Sequence, residues 1–177
     1  MPFVTLASPP PAGLPDVSPI PPFRTRRFSL MSNADFDSSI QILLVDDDDI
    51  DARVVTRGLT KHGVSNPLFV ARDGLEALEH LRGEGDLEAG KPTLVLLDLR
   101  MPRMDGLEFL SELRNDPELR RTVVLVLTTS DAPSDLAKAY DLNVAGYLLK
   151  QEAGRGFSNY VPLIQAYLRS VRFPPNG

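Results

Sequence analysis

A run of four acids, Asp46-Asp47-Asp48-Asp49, closes one short apolar stretch of the chain, and Asp98 closes another. Two later apolar stretches end in Thr128-Thr129 and in Lys150. Carboxylates gathered in one place repel, and each has its pKa raised unless a cation lies between them. Oxygen-only ligands favour a hard ion, and Mg²⁺ commonly takes one or two carboxylates while keeping several waters. A hydroxyl and an ammonium at the same rim are what the oxygens of a phosphoryl group require. Acids, metal, hydroxyl and lysine together point to phosphoryl chemistry at a carboxylate. Singly, each has an ordinary structural use. An Asp between strand and helix is often only an N-cap, and Asp48 or Asp49 reads as a cap rather than a ligand. Thr128 alone is a common β-branched strand residue, and Lys150 alone a common surface lysine. The weight lies in all four groups falling at the ends of strands.

Those strands are legible as short, wholly apolar runs, the pattern of strands buried on both faces. They fall at Ile42–Val45, Pro67–Val70, Leu94–Leu97, Val123–Leu127 and Ala145–Leu149. Between them lie helical spacings: Ala52, Val55 and Leu59; Leu75, Leu78 and Leu81; Leu107, Leu110 and Leu113; and Leu136 to Leu142. A last helix has Phe157, Tyr160, Ile164, Leu168 and Val171 as its apolar face and ends at Pro174-Pro175. Gly83 to Pro92 reads as a polar loop. Five strands alternating with five helices imply an α/β fold, a parallel sheet covered on both faces. In such sheets the functional crevice lies beyond the carboxyl ends of the strands, where the acids, the threonine and the lysine fall.

Composition narrows the classes further. A chain of 177 residues, 42% hydrophobic and 24% charged, has room for one ordinary globular domain. A net charge of −5 argues against general nucleic-acid or anionic-membrane binding. The absence of cysteine excludes disulfides and thiolate chemistry. His62 and His80 are too few for a multi-histidine metal centre and read as surface helix residues. No apolar run approaches the roughly 20 residues of a membrane span, and no secretory signal is legible, so the cytoplasm is the expected location. Half of the sixteen prolines fall within the first 22 residues. Residues 1–39 therefore read as a disordered, Pro-rich tail, with Met31 as an alternative start. Arg24, Arg26 and Arg27 in it are balanced by Asp16, Asp35 and Asp37. Residues 40–173 read as the domain and 174–177 as a short tail.

Leu43-Leu44-Val45-Asp46-Asp47, Leu96-Leu97-Asp98-Leu99-Arg100-Met101-Pro102 with Asp105-Gly106, Leu127-Thr128-Thr129-Ser130 and Gly146-Tyr147-Leu148-Leu149-Lys150 together resemble the receiver domain of two-component response regulators. The loop before the third strand and the Thr-Thr-Ser after the fourth resemble single-domain regulators partnered with phytochrome-type histidine kinases. The resemblance implies a flavodoxin-like (CheY-like) sheet of order 2-1-3-4-5. It implies that Asp98 accepts a phosphoryl group from a sensor histidine kinase. Asp47 would bind Mg²⁺ directly, Asp46 through water, and Asp98 and the backbone carbonyl of Arg100 would complete the protein ligands, leaving an Asp98 oxygen free to attack. Thr128 would contact the phosphoryl oxygens, and Lys150 would pair with their charge once the group is present. Tyr147 matches the family's switching aromatic, with a static half-buried aromatic as the plain alternative. Pro102 and Gly106 fit a turn and helix entry. The sequence departs from the family at Gln151, where proline usually follows the lysine, often across a cis peptide. A non-proline cis bond costs about 3 kcal/mol, so Lys150 sits either on a trans peptide or on a strained bond. Arg100 and Ser130 occupy positions that, in the family, tune hydrolysis of the acyl phosphate.

The function expected is that of a phosphoacceptor switch acting through protein contacts with no output domain, rather than an enzyme; at most it phosphorylates and dephosphorylates itself. An aspartate-dependent phosphohydrolase pairs similar groups, but Ile50 stands where its first-strand motif needs Thr or Val, and no cap domain fits in the chain. A degenerate receiver that only binds partners is disfavoured by retention of every active-site residue type. Tyr160, Tyr167 and Phe173 exceed what one buried helix face requires, which points to a homodimer through the last helix, and the resemblance implies dimers built on the fourth and fifth helical units. Residues 1 to about 35 cannot bury enough apolar surface to offset their ordering. A chain beginning at Met31 should therefore melt within a few degrees of the full chain in a thermal scan; a large loss would place the domain boundary elsewhere.

Overall fold

The structure is a computed structural model that describes residues 39–174. The tail expected over residues 1–39, the alternative start at Met31 and most of the 174–177 segment lie outside the described residues. Ten main elements alternate: β1 (Gln41–Val45), α1 (Asp49–Lys61), β2 (Leu68–Ala71), α2 (Gly74–Leu81), β3 (Thr93–Leu97), α3 (Gly106–Asn115), β4 (Val123–Thr128), α4 (Pro133–Asp141), β5 (Gly146–Leu149) and α5 (Val161–Ser170). The five strands form one parallel sheet of order β2-β1-β3-β4-β5, as expected.

Alternation along the three central strands divides the core in two. Ile42, Leu44, Leu94, Leu96, Leu125 and Leu127 face α1 and α5, where they meet Val55, Leu59, Ile164 and Leu168. Leu43, Val45, Val95, Leu97, Val124 and Val126 face α2, α3 and α4, where they meet Leu78, Phe109, Leu110 and Ala139. Each such side chain contributes about 1.5–3 kcal/mol on burial, and a strand slipped by one residue would exchange the two sets. The register is thereby locked, with Val45 opposite both Ala71 and Leu97, Leu97 opposite Val126, and Thr128 opposite Leu149. All five carboxyl ends consequently emerge on one rim.

Acids at that rim and at the neighbouring loops divide by task. Asp48 caps α1, its carboxylate accepting from the Ile50 and Asp51 amides at 2.7 and 3.3 Å. Asp73 caps α2, and Asp105 with Glu108 forms a capping box at the head of α3. Asp49 is the first residue of α1 rather than its cap.

Several helix faces differ from the sequence reading. In α2 the buried set is Gly74, Ala77, Leu78 and His80, while Leu75 is exposed. His80 is not a surface residue: the Gly83–Asp86 turn folds onto its ring, and its Nδ1 accepts the Asp86 amide at 3.1 Å. The last helix starts later than expected. Gly154, Gly156 and Phe157 all take positive φ (72°, 63° and 67°), so Phe157 lies in a separate 3₁₀ turn, Arg155–Phe157, and α5 begins at Val161. Phe157 is still core, packed beside Gly58 of α1, where a Cβ would meet its own Cβ at 2.9 Å. Tyr160, Tyr167 and Phe173 pack against the domain's own core rather than standing free, Tyr167 and Phe173 edge to face. In α4 only Ala139 is buried, and the stripe carrying Leu136 and Tyr140 is exposed.

Gly106 is the tightest point beneath the rim. Its amide donates to Leu99 O at 3.1 Å, and a Cβ there would press on the Asp98 carbonyl oxygen and lie 2.7 Å from Leu99 Cα. Both obstacles are backbone and cannot swing aside. Gly106→Ala should cost about 1–3 kcal/mol of unfolding free energy through overpacking, measured by chemical denaturation. A neutral result would mean that the β3–α3 loop yields and does not fix Asp98.

Candidate functional site

Asp46 and Asp98 each stand one residue past a central strand, and both backbones still belong to the sheet. The Asp46 amide donates to Ala71 O and the Asp98 amide to Val45 O, each at 2.9 Å. The side chains are therefore held on a rigid frame and are almost wholly buried, at 2% and 5% exposure. Asp47 points from the same turn into solvent. One carboxylate oxygen from each of Asp46, Asp47 and Asp98 falls within 4.8 Å of the others.

Lys150 reaches this cluster from the end of β5. Its ammonium lies 2.6 Å from Asp98 Oδ2, 2.8 Å from Asp46 Oδ2 and 2.9 Å from Asp51 Oδ2. No cis peptide occurs among the described residues. Lys150 is thus on a trans peptide, opening a 3₁₀ turn, Lys150–Glu152, that needs no proline at Gln151. Asp51 is a member that the sequence reading missed. It looks like an ordinary first-turn acid on α1, and the lysine it meets lies far along the chain on another element.

Electrostatics follows from this crowding. Burial raises the Asp46 carboxyl above its ordinary 3.8, outweighing the attraction of Lys150 and the bond from the Asp48 amide, while Asp98 adds to the rise. A raised folded-state pKa means that folding favours the protonated acid. Ionising Asp46 therefore subtracts stability as pH climbs from 3.8 through the higher folded value. Burial alone would lower the Lys150 ammonium, but the carboxylates of Asp46, Asp98 and Asp51 hold it well above its ordinary value, so it stays charged at any physiological pH.

The remaining residues lie where the reading put them, with some changes of task. Thr128 is fully buried and its Oγ1 accepts the Ser130 amide at 3.2 Å. The Tyr147 hydroxyl donates to Ser130 O at 2.8 Å, and burial raises its pKa. The Arg100 amide donates to Asp98 Oδ1 at 3.1 Å, which sets the Arg100 backbone beside the Asp98 carboxylate. Neither Asp98 oxygen is without a partner, since Oδ1 takes that amide and Oδ2 takes Lys150. Attack would have to use the lone pair each oxygen keeps. Lys150, given work only in the phosphorylated state by the sequence reading, already pairs with three acids in this one.

The donor set fits a hard divalent cation. Every candidate ligand atom is oxygen, which selects Mg²⁺ or Mn²⁺ over softer ions. Asp46 Oδ2 is buried and touches Lys150 without an aligned hydrogen bond, so part of its coordination capacity is unused. Removing Lys150 would leave three close carboxylates with no cation. Lys150→Ala should lower metal-free stability by about 3 kcal/mol, as for a broken buried pair. Millimolar Mg²⁺ should restore more of the melting temperature in the variant than it adds to the wild type. Equal metal-free melting of the two proteins would show that the ammonium contributes nothing before phosphorylation.

Comparison with known proteins agrees with this geometry. Residues 42–160 match the response regulator receiver domain. The chain is 38% identical over 135 residues to the response regulator Rcp1 of Synechocystis sp., covering 75% of this chain and 92% of that protein. Among solved structures, the phosphorylated cyanobacterial phytochrome response regulator RcpA is similar with a TM-score of 0.68 at 36% identity, over 76% of this chain and 97% of that one. The Mn²⁺-bound form of Rcp1 is similar with a TM-score of 0.67 at 37% identity, over 76% and 98%. With its strand order, its rim of acids and these relatives in agreement, the chain belongs to the response regulator receiver domain family of two-component signalling.

Proposed function

We propose that Asp98 is the phosphoacceptor of this regulator, and that a sensor histidine kinase, of phytochrome type, supplies the phosphoryl group. The observation that carries the reading is the meeting of Asp46, Asp47 and Asp98 within 4.8 Å, with the Lys150 ammonium on Asp98. An Asp98 oxygen attacks phosphorus as the P–N bond to a kinase histidine breaks, and the imidazole nitrogen keeps the electron pair and takes up a proton. Such transfer depends chiefly on alignment and on neutralising charge on the equatorial oxygens. Mg²⁺ would be held by Asp47 and Asp98, by Asp46 through water and by the Arg100 carbonyl, and supplies part of that neutralisation. Lys150 supplies the rest by moving from the Asp98 carboxylate to a phosphoryl oxygen. Thr128 exchanges the Ser130 amide for the phosphoryl group, and Tyr147 follows the Ser130 carbonyl. These roles make the protein a substrate of its kinase and a signalling partner rather than an enzyme with turnover. The bound Mn²⁺ named for Rcp1 and the phytochrome named for RcpA favour the metal and the kinase class.

The functional unit is residues 40–173. No helix among the described residues is long and apolar enough to cross a membrane, and a sensor kinase as partner supports a cytoplasmic location. Homodimerisation belongs to the same reading, with its face moved from the last helix to α4. There Leu136 and Tyr140 are 41% and 52% exposed, whereas the aromatics of the last helix are used internally.

Acetyl phosphate with Mg²⁺ should label the wild type once, at Asp98, read by intact mass and by mapping of the acid-stabilised adduct. Chelator should prevent labelling. Asp98→Asn, nearly isosteric but without a nucleophilic oxygen, should fold and stay unlabelled. An adduct on Asp98→Asn as full as on the wild type, or equal labelling in chelator, would sink the assignment.

A further inference from the structure

A second polar network lies one step outside the carboxylates. Arg100 is rooted beside Asp98 through its amide, yet its guanidinium turns away. It donates to Asp135 Oδ2 at 2.8 Å and to Ser130 Oγ at 3.4 Å. Ser130 Oγ donates to the same Asp135 oxygen at 2.7 Å, and the Ser130 carbonyl accepts from Tyr147. Asp135 lies in the first turn of α4, its side chain 14% exposed against 63% for Arg100. One surface cation thus fastens the head of α4, the loop after β4 and, through Ser130, the aromatic on β5. Apolar packing holds α4 weakly, because Ala139 is its one buried residue, and its far end is tied by Arg114, which donates to Leu142 O and Asn143 O.

We propose that the Arg100–Asp135 pair is a latch on α4, and that Asp135 is a positioning residue that keeps the Arg100 guanidinium off Asp98 until a phosphoryl group arrives. The proposal rests on Asp98 being the phosphoacceptor. A carboxylate offers one negative charge, whereas a phosphoryl group brings roughly two and three strong acceptor oxygens. Arginine pairs with such oxygens in a fork, and this arginine already starts at the rim. On phosphorylation the guanidinium exchanges Asp135 for the phosphoryl oxygens. Asp135 and Ser130 then lose their shared donor, which releases the first turn of α4 together with the carbonyl that holds Tyr147. The latch exists only in the unphosphorylated state, so its removal shifts the equilibrium toward the phosphorylated one.

The test is the affinity of the full chain with Mg²⁺ for beryllofluoride, a phosphoryl mimic, read by calorimetry. Asp135→Asn keeps the shape and removes the charge, and should tighten binding by about fivefold. In an Arg100→Ala background the same substitution should change nothing, because the latch is already open. A role for Asp135 confined to the helix N-terminus would act equally in both backgrounds. A gain that persists without Arg100, or no gain in its presence, overturns the latch. Failure of the folded wild type to bind beryllofluoride at all would instead overturn the phosphoacceptor assignment, and the latch with it.

Discussion

The Lys150 ammonium lies 2.6 to 2.9 Å from carboxylates on three different elements, the ends of β1 and β3 and the first turn of α1. Burial gives that contact its weight. Two unit charges 4 Å apart interact by about 1 kcal/mol in water and about 4 kcal/mol at the effective dielectric of a protein rim. Asp46 and Asp98 have lost nearly all their water, so an ion pair that would be negligible on an open surface carries weight here. The sheet makes the arrangement possible. A parallel sheet with both faces covered brings strand ends together without exposing apolar side chains, and the amides of Asp46 and Asp98 are spent on the neighbouring strands. The frame is stiff, and the repulsion between its acids is left for a cation to resolve.

Stiffness is not shared evenly around the rim. β1 and β3 are central and wholly buried, and their acids sit on backbone held by the ladder. The opposite side runs from Thr128 through Ser130 to α4 and β5, where burial thins: every residue of β5 is only partly covered. Local opening free energy follows such differences in buried contact. A phosphoryl group on Asp98 would therefore meet a fixed side that aligns it and a yielding side that responds to it. Thr128 is the hinge between the two, fully buried in β4 and yet bonded through Oγ1 to the Ser130 amide of the yielding loop.

Much of this was legible beforehand, for a physical reason. Strands buried on both faces must be apolar throughout, so Ile42–Val45 and Leu94–Leu97 announce themselves, and the residue after each run must lie at the rim. The acids, the threonine and the lysine were found by position as much as by type. What escaped the reading depends on contacts between segments distant in the chain. His80 is buried because a glycine turn folds over it, which no helical periodicity encodes. Phe157 keeps its place in the core but leaves the helix, because Gly154 and Gly156 take backbone conformations that end one. Leu75 fits the helical spacing yet faces water, since α2 presents Ala77 and Leu78 to the sheet instead. Asp51 and Asp135 have in sequence only the look of first-turn acids, favourable at any helix N-terminus. Their second partners, Lys150 and Arg100, are on other elements. Helix-end acids are ambiguous in sequence because one residue type serves the helix dipole, the cap and the site equally well.

That ambiguity bears on how the fold can carry a signal. An element that must have two positions cannot be anchored by a large apolar face, since packed cores resist small displacements and each buried leucine adds about 1.5–3 kcal/mol in favour of one position. α4 satisfies the requirement by omission, with one buried residue and an exposed stripe. Its first turn is then held by polar contacts, in the range of about 0.2–1 kcal/mol for an exposed ion pair. Interactions of that size are small beside domain stability, so exchanging them leaves the sheet and both cores intact. They are also comparable with the differences that separate two states of a switch. The same acid that makes a serviceable first-turn residue for the helix makes its position dependent on the charge state of the rim.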